Sequence, residues 1–164
     1  MSAEAPVIAC CPGSFDPVTL GHLDVIERAS AIFDGVVVAV GRNSTKNYMF
    51  TLDERLGLVR GAVAGLPNVT VAPIDALLVD FCAEHGAKVI VKGLRFASDF
   101  DYELPMAQLN TALSGIETVL LPGSRAYGAI SSSMLREVAS NGADITQFVT
   151  PAVAAAVRAK MEQR

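Results

Sequence analysis

Short apolar runs alternate with amphipathic segments along the chain. Val7 to Cys11, Val36 to Val40, Val69 to Pro73, Lys88 to Val91 and Thr118 to Leu121 are rich in Val, Ile or Leu without polar alternation, the pattern of strands covered on both faces. Between them the polar residues recur at helical spacing. Leu20 to Phe33 places Leu23, Ile26 and Phe33 on one face and Asp24, Glu27 and Arg28 on the other. Thr51-Leu52-Asp53-Glu54 reads as a capping box, followed by Leu56, Val59 and Val63 at helical intervals. Leu77 to His85 predicts a third helix stopped by Gly86, and Asp99 to Leu113 a fourth, with Pro105 in its first turn or at a kink. Ser131 to Ser140 ends before Asn141-Gly142, and the last helix takes Thr150 as N-cap and Pro151 as its first residue. Strand and helix thus alternate throughout. The alternation predicts an α/β fold, a Rossmann-like doubly wound sheet of about five parallel strands with flanking helices, in a single domain over residues 1–164.

Composition limits what such a domain does. The net charge of −4 and a sequence pI near 5.1 argue against general nucleic-acid affinity, so any anion site must be local. Charged residues make up 18% of the chain and hydrophobic ones 51%. That leaves little polar side chain to cover a monomer, and a homo-oligomer is expected. Met1 to Gly13 has no basic region and only a short apolar run, so neither a signal peptide nor a membrane anchor is expected and the chain reads as cytoplasmic. Cys10, Cys11 and Cys82 lie in apolar stretches without a C-x-x-C spacing, as small hydrophobes in a reducing compartment do. With His22 and His85 as the two histidines, zinc lacks a recognisable ligand set, and no protein ligand for a metal is expected.

In an open parallel sheet, ligands bind beyond the carboxyl ends of the strands. Residues Pro12 to His22 follow the first strand, Gly41 to Lys46 the second, Asp75 to Leu78 the third, Lys92 to Arg95 the fourth and Ser124 to Ser133 the fifth. One edge therefore collects His22, Lys46, Lys92, Arg95 and Arg136 with glycines and hydroxyls. A cationic cleft beside helix N-termini suits an oligophosphate, and the inferred ligand is a nucleotide. Gly13 would let the backbone approach the ligand, Thr19 would cap the helix carrying His22, and Gly21 would leave space beside the imidazole. Asp16 and Asp99 read as turn and helix-start stabilisers, His85 as a helix-dipole partner, and Arg136 either as a triphosphate ligand or as a salt-bridge partner near Glu137.

The run Gly-Ser-Phe-Asp-Pro-x-Thr-x-Gly-His from Gly13 to His22 resembles the T/H-x-G-H signature of the nucleotidyltransferase superfamily, and Ile130-Ser131-Ser132-Ser133 through Arg136 matches its second motif. Lys92-Gly93-Leu94-Arg95 with Asp99 to Glu103, and Lys46 with Met49-Phe50-Thr51 and Glu54-Arg55, resemble the phosphopantetheine adenylyltransferase family. The resemblance covers nearly the whole chain. It implies AMP transfer from ATP to 4′-phosphopantetheine, with His22, Lys46 and Arg95 as the catalytic residues. ATP would meet Ser14, Phe15, His22, Gly93, Leu94, Arg95, Glu103 and the loop Tyr127, Gly128, Ala129, Ile130, Ser131, Ser132 and Ser133. The acceptor would meet Ser14, Lys46, Leu78 and Lys92. The resemblance also implies magnesium held mainly by ATP phosphates and water, a hexamer, and feedback inhibition by coenzyme A. Two departures stand out: Lys92 where the family often has arginine, and Tyr127-Gly128-Ala129 where it commonly has an aromatic, Ser and Phe. The residues by themselves leave open a different phosphorylated acceptor, or a nucleotide sensor without activity.

Overall fold

The structure is a computed structural model and describes residues 5–42, 47–128 and 130–163. The elements run β1 (Ile8–Gly13), α1 (Leu20–Ile32), β2 (Gly35–Gly41), α2 (Leu52–Ala62), β3 (Val69–Ile74), α3 (Leu78–Glu84), β4 (Ala87–Leu94), α4 (Ala97–Ser114), β5 (Glu117–Pro122), α5 (Ser132–Ser140) and α6 (Pro151–Glu162). The five strands form one sheet in the order β3-β2-β1-β4-β5, and every pairing is parallel. The order reverses between β1 and β4, so helices leave the sheet in opposite directions there and a crevice opens at the carboxyl edge.

Strand β1 occupies the centre, and its Ala9, Cys10 and Cys11 are buried. Side chains alternate across the sheet. Ala9, Cys11, Val36, Val38, Val40, Val89 and Val91 face a thick layer with Ile26, Leu56, Val59, Leu135 and Val153 from α1, α2, α5 and α6. Cys10, Val37, Ala39 and Ile90 face a thinner layer, filled mainly by Val79, Phe81 and Cys82 of α3. A hydrogen bond with Cys82 and burial hold the Cys10 thiol above its usual range, and burial pushes Cys11 up to about 12. All three thiols are thus buried and free, as the apolar setting predicted.

The local signals place the helix starts well. Thr51 and Glu54 exchange both bonds of a capping box, Ser131 Oγ accepts from the Met134 amide, and Thr150 Oγ1 accepts from the Val153 amide. Gly86 and Gly142 adopt φ of +66° and +83° just beyond α3 and α5, the left-handed conformation that ends a helix at low cost.

Three expectations change. The strands reach further toward the carboxyl edge than their apolar runs, because β4 continues its ladder with β5 through Lys92, Gly93 and Leu94. These residues sit on a strand and not on a loop. The edge strands β3 and β5 are incompletely covered, and Glu117, Val119 and Pro122 of β5 are exposed, so burial on both faces holds for the inner strands alone. Finally, α4 starts at Ala97 and carries Pro105 in its interior, where a proline has no N–H to give to the preceding turn.

Helix α4 also leaves apolar surface uncovered. Phe96 ahead of it and Phe100, Tyr102, Leu104, Met106, Leu109 and Leu113 along it are exposed, while Asn110 is its one buried side chain.

Candidate active site

A cleft of about 730 Å³ lies at the carboxyl edge where β1 and β4 part. Its floor begins where β1 ends. Phe15 takes a φ of 50°, uncommon for a residue with a side chain, and this folds its ring back beneath Gly13. A Cβ at Gly13 would stand 2.9 Å from that ring, so the glycine makes room for Phe15 while also lining the cleft. Gly21 likewise lies against the Tyr127 carbonyl, 3.2 Å from where a Cβ would be, and lines the cleft together with His22.

Thr19 caps α1 through a reciprocal exchange with His22. The His22 amide donates to Thr19 Oγ1, and the Thr19 amide donates to His22 Nδ1 at 3.0 Å. Because Nδ1 accepts a backbone N–H, the ring proton resides on Nε2. The half-buried ring packs edge-on to Phe15, with centroids 5.0 Å apart. Burial, with added repulsion from Arg95 and Lys92, lowers its pKa to about 4. At neutral pH His22 is therefore a neutral imidazole presenting Nε2–H in a cleft wall.

The opposite wall comes from β4 and the first turns of α4. Lys92 Nζ lies 3.2 Å from Glu103 Oε1. The Arg95 fork grips both oxygens of Asp99 at 3.1 Å, and the Arg95 amide donates to Asp99 Oδ2 at 2.8 Å. Burial works against the Asp99 carboxylate, but the bonds from Arg95 outweigh it and hold its pKa below the ordinary value. Asp99 is a helix-start residue as predicted, and it also orients Arg95.

The start of helix α5 borders the site next to the exit of β1. Ser131 is its N-cap, and the amides of Ser132 and Ser133 in the first turn have no intrahelical acceptor. The Ser132 hydroxyl donates to the Pro17 carbonyl at 2.8 Å. Arg136 bonds the Asp16 carbonyl and Ser133 Oγ and lies 3.5 Å from the Asp16 carboxylate. Its salt-bridge partner is thus Asp16, just beyond β1, and not a residue near Glu137. Asp16 in turn is buried and accepts the amides of Met49 and Phe50 at 2.8 and 2.9 Å.

The structure brings Ser14, Phe15, His22, Leu78, Lys92, Gly93, Arg95, Glu103, Tyr127, Gly128, Ile130, Ser131, Ser132 and Ser133 into the lining of one cleft. Leu94 does not line it, and its carbonyl accepts the Gly123 amide. Lys46 and Ala129 lie outside the described residues. His85 stacks on Phe81 and bonds the Phe81 carbonyl, away from the cleft. Gly128 has a local reason. A Cβ there would come 2.8 Å from the Ser124 carbonyl, the same oxygen that accepts the Gly128 amide. The cleft is less cationic than its residue list suggested, since Lys92, Arg95 and Arg136 are each tied to a carboxylate. Sequence reasoning missed Tyr102 and Tyr48, which also line the site, and Arg55, which stands behind it. Tyr102 and Arg55 fall inside the segments that resemble the family, but nothing in the local pattern of these three residues assigns them to the cleft rather than to the surface or core.

Comparison with known proteins agrees with this geometry. Residues 10–138 match the family model for cytidylyltransferase-like proteins. The chain is 58% identical over 137 residues to a phosphopantetheine adenylyltransferase of Cutibacterium acnes, covering 84% of this chain and 87% of that one. It is 52% identical over 153 residues to that of a Nocardioides species, covering 93% and 96%. A solved structure from Vibrio parahaemolyticus, assigned as a nicotinate-nucleotide adenylyltransferase, superposes with a TM-score of 0.71 at 21% identity, covering 98% and 97% of the two chains. That last likeness establishes the fold. With identities above half along most of its length and a T-x-G-H histidine set in a sheet-edge cleft, the chain belongs to the cytidylyltransferase-like family and, within it, to the phosphopantetheine adenylyltransferases.

Proposed function

We infer that the protein transfers AMP from ATP to 4′-phosphopantetheine, releasing pyrophosphate and forming dephospho-coenzyme A in coenzyme A synthesis. The observation that carries this reading is His22: a neutral imidazole with its proton on Nε2, set in the first turn of α1 in the cleft lining, in a chain more than half identical to proteins of that name.

The chemistry needs no general base. A phosphate monoester has a second pKa of about 6 and is largely dianionic at neutral pH. One of its oxygens attacks the α-phosphorus, the new P–O bond forms in line, and the bond to the bridging oxygen breaks as pyrophosphate leaves with the electron pair. The protein's part is to position the reactants and stabilise charge. His22 Nε2–H donates to an α-phosphate oxygen. Arg95 and the hydroxyls and first-turn amides of Ser132 and Ser133 hold the triphosphate. Gly93, Glu103 and the Tyr127–Ile130 loop enclose the adenosine, with Phe15 supporting the His22 ring. Ser14, Lys46 and Lys92 receive the acceptor phosphate, and Leu78 lines its apolar arm. Asp99 and Glu103 keep Arg95 and Lys92 extended across the β4 wall.

Magnesium would neutralise phosphate charge. Among the described residues no cluster of three His, Cys, Asp or Glu could hold a metal ion, and Asp16, Asp99 and Glu103 are engaged by arginine or lysine. On this reading its ligands are phosphate oxygens and water. Coenzyme A, sharing the pantetheine and adenosine parts of the product, would compete for the same cleft. The exposed apolar row on α4 supports self-association, with a hexamer as the family's form. Buried free thiols suit a reducing cytoplasm, and among the described residues no helix is long and apolar enough to cross a membrane.

Purified protein given ATP and a panel of phosphorylated acceptors releases pyrophosphate with 4′-phosphopantetheine. Turnover confined to another acceptor overturns the assignment. His22→Ala lowers kcat by about 10²-fold with a smaller change in KM, as loss of a transition-state donor requires; an unchanged kcat removes His22 from the mechanism. Because His22 titrates only near 4, the acid limb of kcat/KM falls at the acceptor's phosphate pKa of about 6, and it persists in His22→Ala. A limb that vanishes in that variant assigns the titration to the imidazole instead. Replacing Leu109 and Leu113 together by Glu reduces the mass measured by light scattering to that of one chain; an unaltered mass places the subunit interface elsewhere.

A further inference from the structure

Arg55 enters the protein on the first turn of α2, among inward residues that are otherwise aliphatic, Leu56 and Val59. It is 1% exposed. One terminal nitrogen donates to two carbonyls, Ser14 at 2.6 Å and Gly41 at 2.8 Å. The guanidinium carbon lies 4.0 Å from the centre of the Tyr48 ring, and Nε has no hydrogen-bond partner. Among the described residues no carboxylate pairs with it, whereas Lys92, Arg95 and Arg136 each have one. A buried cation without a counter-charge is destabilising, and an aliphatic side chain of similar volume would serve the core better. What an aliphatic side chain cannot do is bridge two backbone oxygens.

Those oxygens belong to the last positions before the strands separate. The β1–β2 ladder ends at Gly13 opposite Val40, and Ser14 and Gly41 are the next residues on the two chains, both in the cleft wall. Beyond that rung the sheet still holds Gly41 through its pairing with Ile74 of β3, but no ladder pairing reaches Ser14. We propose that Arg55 is a positioning residue for adenylyl transfer: its guanidinium adds one side-chain rung to the ladder and so sets the spacing of Ser14 and Gly41 in the acceptor half of the cleft.

Two features of the surroundings fix the clamp itself. The Thr51–Glu54 capping box and the Lys160–Glu54 ion pair at 2.8 Å hold the start of α2, and Asp16 fastens the Met49 and Phe50 amides just ahead of it. The guanidinium also places a positive charge behind the wall against which a phosphate would rest. Ser14 aside, the described groups assigned to ATP on β4, α4 and α5 share no hydrogen bond or ion pair with it, so its loss acts more on the acceptor than on ATP. The proposal rests on the reading that Ser14 and this side of the cleft receive the acceptor phosphate.

The test compares the two substrates in one variant. In Arg55→Met the KM for 4′-phosphopantetheine rises by about tenfold or more, while the Kd for ATP, measured by calorimetry without acceptor, stays within about twofold. Arg55→Lys keeps the charge and donors but is shorter and cannot stack flat on Tyr48, and it recovers part of the loss. Equal damage to both substrates, or an unchanged acceptor KM, overturns the proposal. Should Arg55→Met fail to fold, the comparison passes to Arg55→Lys, and loss of ATP binding there too makes Arg55 a fold residue and sinks the idea. If the wild-type protein turns over a different acceptor, the reading of the substrate fails separately, and the same two variants are measured with that acceptor.

Discussion

The site depends on a carboxylate buried at the point where β1 leaves the sheet. Asp16 accepts two amides from the segment leading into α2 and pairs with Arg136 of α5. Three stretches far apart in sequence therefore meet at one side chain. The backbone nearby is bound into the same junction, because Pro17 receives the Ser132 hydroxyl and Asp16 the Arg136 guanidinium through their carbonyls. Removing a buried charge from such a set leaves its donors unpaired in a poorly solvated place, which costs far more than any single bond contributes. The loops of this edge are thus held by polar contacts, unlike the strands beneath them, which are held by apolar packing.

The electrostatics follow the same economy. Each described cation in the cleft wall leans on a carboxylate from another turn or element, so the cleft holds positive groups in fixed directions without a large net charge. Directed donors of this kind need little rearrangement when charge develops in a reaction. His22 contributes without charge at all. Its Nδ1 is committed to the Thr19 amide, burial disfavours the imidazolium, and what is left is one N–H whose direction is set by the start of α1.

Much of the architecture is legible from the order of residues. Thr19, Thr51 and Thr150 cap the helices they were expected to cap, because capping is decided within four residues. Inner strands announce themselves because both faces are apolar, and the T-x-G-H and Ser-Ser-Ser runs mark two of the helix starts that border the cleft. The ends of β4, the exposure of β5 and the course of α4 through Pro105 are different, since they depend on which strand or helix lies alongside.

The sequence by itself determined the alternating α/β plan, the strand whose exit carries the chemistry and most residues of the cleft wall, for these are written in local pattern and spacing. The tertiary structure alone decided the pairings: Lys92 with Glu103, Arg136 with Asp16, and Arg55 with the carbonyls of Ser14 and Gly41. It also decided the purpose of Gly13, which accommodates Phe15. The reason is physical. A charged or small side chain has the same local pattern whether it faces solvent or a buried partner, and only the close approach of distant segments selects between the two.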